Sequence, residues 1–164
     1  MREPRCEAAA YFYRGLSKRA CLIEQAAGVP VDFCESGRFR HRPPQDVSFT
    51  PQGILKDYLR SADLAPDLVK IIDFHVGMEL LFDGRHGEAQ MRFRRFVERM
   101  DSSDRRLLAS QFGDEAGLTR CDAFARKFVS AMASEDGLAR AMALTTEAEK
   151  LYRDILFRKS AGHE

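Results

Sequence analysis

The sequence predicts an all-α fold, and three observations carry that expectation. Apolar residues recur every three or four positions in one segment after another, the signature of helices with one buried face. Helix-start and helix-stop residues bracket those segments. No pair of alternating apolar and polar runs is present from which a sheet could be built. The expected architecture is a multi-helix bundle of about seven helices. At 164 residues the chain suits a single helical domain over residues 1–164.

Pro4 fits the first turn of a helix, where its missing N–H costs nothing. Phe12, Leu16, Ala20, Ile23 and Ala27 then form one apolar stripe, and Gly28 and Pro30 supply the stop. The first helix is expected from about Arg5 to Ala27. Residues 28–50, with Gly28, Pro30, Gly37, Pro43 and Pro44, are the longest irregular stretch. Loops beyond about 12–15 residues are uncommon in compact domains and are often functional. The segment is therefore the expected place for a binding surface.

Thr50 and Pro51 restart a helix as N-cap and first residue, with Ile54, Leu55, Tyr58 and Leu59 on its inner face. Pro66 ends it and opens a central helical hairpin over residues 66–100. The first arm, 67–82, is apolar around most of its circumference, with a narrow polar stripe at Asp67, Lys70, Asp73 and Gly77. Such a helix is expected to be surrounded by others. Asp83 to Gly87 make a tight turn, and Ala89, Phe93, Phe96, Val97 and Met100 mark the second arm. Asp101-Ser-Ser-Asp104 caps a short helix with Leu107, Leu108 and Phe112 inside and Gly113 as its stop. Thr119 with Asp122 resembles a capping box that starts a helix carrying Cys121, Phe124, Ala125, Phe128 and Met132. After a turn at Ser134 to Gly137, a last long helix uses Leu138, Met142, Thr145, Ala148, Tyr152 and Ile155 and frays through residues 160–164.

The central hairpin resembles a tetratricopeptide unit at Val76, Gly77, Leu80, Gly84, Ala89 and Phe93. A shift by that repeat's period of about 34 residues places Ala123 opposite Ala89, but Gln111, Asp114, Leu118 and Lys127 fall opposite Gly77, Leu80, Gly84 and Phe93. A single unit cannot bury its own face. The match is that of any close-packed helical hairpin, and no family follows from it.

Composition narrows the function classes. Lys and Arg number 26 against 25 Asp and Glu, a net charge of +1, so whole-molecule electrostatics favour neither nucleic acid nor anionic lipid. With 45% hydrophobic and 31% charged residues the chain is neither disordered nor membrane-spanning. Arg outnumbers Lys 20 to 6, as codon bias in a GC-rich genome of bacterial-like composition produces. The N-terminus, Met1-Arg-Glu-Pro-Arg-Cys-Glu, is charged where a signal peptide is apolar, so the cytoplasm is the expected location. Charged residues interrupt every apolar run short of the roughly 18 residues of a span, so no membrane partner is expected. Cys6, Cys21, Cys34 and Cys121 lack the short spacing of a zinc knuckle and are expected as buried small residues or thiols.

Four constellations carry possible chemistry. Cys34-Glu-Ser-Gly-Arg-Phe-Arg40 has the spacing at which cysteine phosphatases set a thiolate and an arginine around a phosphate, making Cys34 a possible reactive thiol. Its flanking residues depart from that pattern, with Phe33 where His is needed and His41 where Ser or Thr is needed. His75 and Glu79 project from one face of the central helix, with His86 nearby in sequence, as a possible ligand or metal site. The simpler expectation is a mutually satisfied polar pair in the core. No E-x-x-H or H-E-x-x-H occurs, so neither bundle di-iron nor zinc-protease chemistry is indicated. Arg interleaves with aromatics at Arg38, Phe39, Arg40 and Arg42 in the loop and at Arg92 to Phe96 on a helix. On the helix Phe93 and Phe96 belong to the core stripe, which leaves the loop as the expected partner-binding segment. Ile23 to Val29 echo the first half of a DNA-reading helix-turn-helix, but no recognition helix follows.

No glycine-rich phosphate loop and no nucleophile elbow is present. The expectation is a non-enzymatic protein–protein interaction domain, acting as an adaptor, accessory or regulatory protein without a cofactor. A nucleic-acid-binding module using residues 38–42, and a ligand or metal sensor using His75 and Glu79, are the alternatives. The sequence leaves the oligomeric state open.

Overall fold

Helices make up every regular element of residues 3–26, 50–66, 71–102, 104–112 and 115–156, the part of the chain that the structure, a computed structural model, describes. They are α1 (Pro4–Ala26), α2 (Pro51–Leu64), α3 (Ile72–Phe82), α4 (His86–Met100), α5 (Arg105–Phe112), α6 (Glu115–Met132), α7 (Gly137–Ala143) and α8 (Thr145–Leu156). The expected loop at 28–49, the start of the first hairpin arm at 67–70 and the tail at 160–164 lie outside the described residues. Among the described residues no helix is long and apolar enough to cross a membrane.

Local chemistry sets the boundaries. The Thr50 hydroxyl accepts the Gly53 N–H at 3.1 Å and Pro51 opens α2, as the sequence indicates. The turn between α3 and α4 needs Gly84, whose φ of 77° lies in the left-handed region. The Gly84 and Arg85 amides there donate to Leu81 and Leu80 carbonyls at 3.1 and 2.9 Å, satisfying the end of α3.

The helices pack largely in chain order: α1 on α2, α2 on α3, α3 on α4 and α4 on α6, with α5 and α7 against α6 and α8 touching α1, α3 and α6. The α1–α2 pair is antiparallel. Ser61 donates to the Ala8 carbonyl at 2.7 Å at one end, and nearer the middle Gly15 lies so close to Tyr58 that a Cβ there would sit 2.6 Å from the ring. Every residue from Ile72 to Leu81 is buried. The polar stripe of α3 accordingly faces α4 and not solvent: Asp73 receives Arg92 at 3.1 Å and Arg99 at 3.4 Å, and Gly77 leaves room for the Phe93 ring. Phe93 continues the core into α6, with ring centroids 5.8 Å from Phe124 and 5.1 Å from Phe128. One hydrophobic cluster takes residues from all eight helices.

Three local expectations are corrected. Helix α6 starts at Glu115, so Thr119 is inside it and its hydroxyl donates to the Glu115 carbonyl at 2.9 Å in place of capping. On α5, Leu108 is buried but Leu107 is 41% exposed. The last helix divides at Leu144 into α7 and α8, and Leu138 and Met142 are 58% and 57% exposed. The inner face uses Ala141, Leu144, Ala148, Leu151 and Tyr152. Gly137 sits against the end of α6, where an added Cβ would come within 2.5 Å of the Met132 carbonyl oxygen.

Candidate functional site

Helix α3 carries both candidate residues of the interior, and its neighbours supply their partners. Glu79 is fully buried and is held by Arg19 of α1 through a two-bond fork, Nε to Oε1 at 2.7 Å and a second bond from the terminal nitrogen to Oε2. The Arg19 guanidinium lies over the Phe82 ring, 4.6 Å from its centroid. Burial pushes the Glu79 carboxyl upward in pKa and the Arg19 fork opposes that rise. Burial is the largest single influence on Arg19 and works against its charge, but the bond to Glu79 and the attraction of Glu79 and the two tyrosines together outweigh it and leave the guanidinium above its ordinary value.

His75, one turn before Glu79, does not pair with it. Its Nδ1 lies 2.5 Å from the Tyr152 hydroxyl of α8, which in turn lies 3.2 Å from the Tyr58 hydroxyl of α2. Phe12 and Phe74 enclose the imidazole at ring-centroid distances of 5.2 and 5.9 Å. Burial pushes the His75 pKa down to about 3, so the ring is neutral, and raises both phenols well above their ordinary value. A neutral imidazole lets the chain of bonds run in either sense, from Tyr58 through Tyr152 to Nδ1 or the reverse.

This cluster of Arg19, Tyr58, His75, Glu79 and Tyr152 joins four helices. Chemically it is closed. Its carboxylate is taken by a guanidinium, its imidazole carries no charge at neutral pH, and its phenols stay protonated. Among the described residues, no group of three or more His, Cys, Asp or Glu is placed to hold a metal ion. His86 is not part of the cluster; its Nδ1 bonds the Gly84 carbonyl at 2.9 Å and its ring stacks 6.5 Å from Phe128. Cys121 is buried and its thiol is pushed well above the ordinary value by that burial, Cys21 is buried, and Cys6 is exposed. Cys34 and the segment Arg38, Phe39, Arg40 and Arg42 lie outside the described residues.

Sequence reasoning missed Arg19, Tyr58 and Tyr152 as members of the cluster, because their partners are 60 to 94 residues away in the chain. One signal was available: a charged residue on an otherwise apolar stripe. Arg19 interrupts the stripe of α1 beside Ala20, and Asp57 that of α2 beside Tyr58. Asp57 is buried against the side chains of Arg14 and Lys18. Burial raises its pKa, but those two cations outweigh it and hold the carboxyl below its usual value.

The surface beside the cluster is different. Leu55 and Leu59 of α2 with Val76 and Leu80 of α3 floor a groove of about 170 Å³. Met91, 60% exposed, stands over it from α4. Arg85, Glu88, Arg92 and Arg95 form the rim. Arg85 bonds Glu88 at 3.0 Å and Arg92 bonds buried Asp73, while Arg95 is exposed with no ion partner among the described residues.

No protein-family model, no curated protein and no solved structure matches this chain.

Proposed function

We propose that this chain is a non-enzymatic protein–protein interaction domain, an adaptor, accessory or regulatory protein of the cytoplasm that acts by docking on another protein. The observation that supports the reading is the groove at α2, α3 and α4, where an exposed methionine stands over aliphatic side chains inside a rim of arginines. Methionine and arginine are among the residues that protein interfaces favour over the rest of the surface. Its volume falls below the roughly 300–1,000 Å³ of a small-molecule pocket. The interior polar groups agree with a scaffold role, since they bond one another across helices and present nothing to solvent.

The test is a pull-down of the tagged full chain from native extract, with and without nuclease, read by mass spectrometry. A stoichiometric protein that survives nuclease is the expected result. A partner lost on nuclease treatment transfers the reading to nucleic acid. Recovery of only a metal or small molecule transfers it to a sensor.

A further inference from the structure

We infer that the groove between α2, α3 and α4 takes an acidic amphipathic helical segment of a partner protein. The inference rests on the interaction reading above and specifies the chemistry of the partner. Met91 is exposed and Leu59 half-buried, while Leu55, Val76 and Leu80 beneath them are buried, so a docking segment meets apolar surface at Met91 and Leu59 and must bring apolar side chains to it, which helical spacing supplies. Met91 suits that contact because its unbranched thioether adapts to different apolar shapes.

Charge specifies the rest. The rim holds three arginines against Glu88 alone. The Arg85 side chain is matched by Glu88, and Arg92 by Asp73 beneath it. Arg95 is left exposed and without an ion partner among the described residues. A carboxylate on the docking segment would gain a two-pronged bond to Arg95 that none of the described residues supplies. A basic segment would meet repulsion at the same rim. Nucleic acid fits less well, because the floor is aliphatic and no aromatic lines it for base stacking.

The experiment pans a random-peptide display library on the immobilised full chain and measures enriched peptides by fluorescence anisotropy. Comparison proteins are Met91→Ser and Arg95→Glu, with helical circular dichroism as the folding control. Enriched sequences should be acidic with apolar residues at i, i+3 or i+4, and i+7. Affinity should fall about tenfold for Arg95→Glu and about fivefold for Met91→Ser, and a Glu-to-Lys version of the peptide should regain binding to Arg95→Glu. Absence of enrichment, basic or neutral consensus sequences, or equal binding to both variants overturns the inference. Tighter binding of a labelled single-stranded oligonucleotide, lost on Arg95→Glu, also overturns it. The two readings fail separately. A captured partner that still binds Met91→Ser and Arg95→Glu but not a variant with Arg38, Phe39, Arg40 and Arg42 all changed to Ala leaves the interaction domain standing and removes the groove. Capture of no protein removes both.

Discussion

Charge is handled in opposite ways on the two sides of the α3–α4 pair. Inside, Glu79 is matched by Arg19 and Asp73 by Arg92 and Arg99, and His75 is held neutral. Outside, at the groove, arginines outnumber carboxylates and Arg95 has no ion partner among the described residues. The difference follows from solvent. An ion removed from water costs several kcal/mol unless a partner meets it, so the interior can keep only matched sets. On the surface water screens an unmatched guanidinium at little cost, which leaves it available to another molecule. On the proposed reading, that surplus is where a partner would dock.

The largest expected effect comes from breaking the internal matching. Glu79→Leu strands the Arg19 guanidinium in a site where its side chain is 10% exposed. The loss should be about 3–5 kcal/mol in urea denaturation, the range found when one partner of a buried pair is removed. Adding Arg19→Met should recover most of it, because a matched apolar pair of similar volume is often neutral. A single variant within about 0.5 kcal/mol of wild type would show that solvent reaches the pair and that interior and surface do not differ as described.

Next comes the hydroxyl that two helices share. Tyr152→Phe removes the group that meets both Tyr58 and His75, leaving their polar atoms unpaired in a buried place. A loss of about 1–3 kcal/mol is expected. The effect should concentrate on the docking of α8, seen as faster amide exchange there than in α3. Uniform exchange across the bundle would mean the hydroxyl is not what fastens that helix.

The sequence made the helices legible wherever local chemistry decides them. Thr50 and Pro51 start α2, Gly84 turns α3 into α4, and of the α4 stripe Ala89, Phe93, Phe96 and Met100 are buried and Val97 half-buried. Failures arose where periodicity does not decide which side chains of a helix meet the core. Leu138 and Met142 have the size and spacing of core residues, yet Gly137 and Ala141 hold the buried face of α7 and Leu144 follows it inward. The site was half legible. His75 and Glu79 stood out as polar residues on an apolar helix, but periodicity says nothing about a partner on another helix. The expected mutual pair is therefore two separate attachments, one to α8 and one to α1. The groove was not legible at all, since it exists only when α2, α3 and α4 lie side by side.

His75 gives the comparison a pH axis. In the unfolded chain its pKa is the ordinary 6.5, and in the fold burial takes it to about 3. Between those values the unfolded state binds the extra proton, so the stability His75 contributes is full above pH 6.5 and is lost as pH falls toward 3. The slope is about 1.4 kcal/mol per pH unit. Glu79, with a raised pKa, works in the opposite sense near its own titration, and Asp57, with a lowered one, adds acid loss. His75→Gln keeps a polar atom for Tyr152 and removes the titration, so the difference between variant and wild-type curves isolates His75. The two curves should converge as pH drops from 6.5 toward 4.5, and parallel curves would mean that water reaches the imidazole.

The smallest effect is expected at the groove, and its smallness carries the meaning. Met91→Ser and Arg95→Glu change exposed side chains, one with little contact to lose and one with no ion partner among the described residues. Their stabilities should stay within about 0.5 kcal/mol of wild type, the ordinary range for surface positions. The same two changes should weaken a docking segment by the larger factors given above. A residue that folding does not need and binding does is one whose exposure serves a partner. Were either variant to destabilise the fold by 1 kcal/mol or more, as read from thermal melts, Met91 or Arg95 would belong to the internal matching, and the surplus charge would have no outward role.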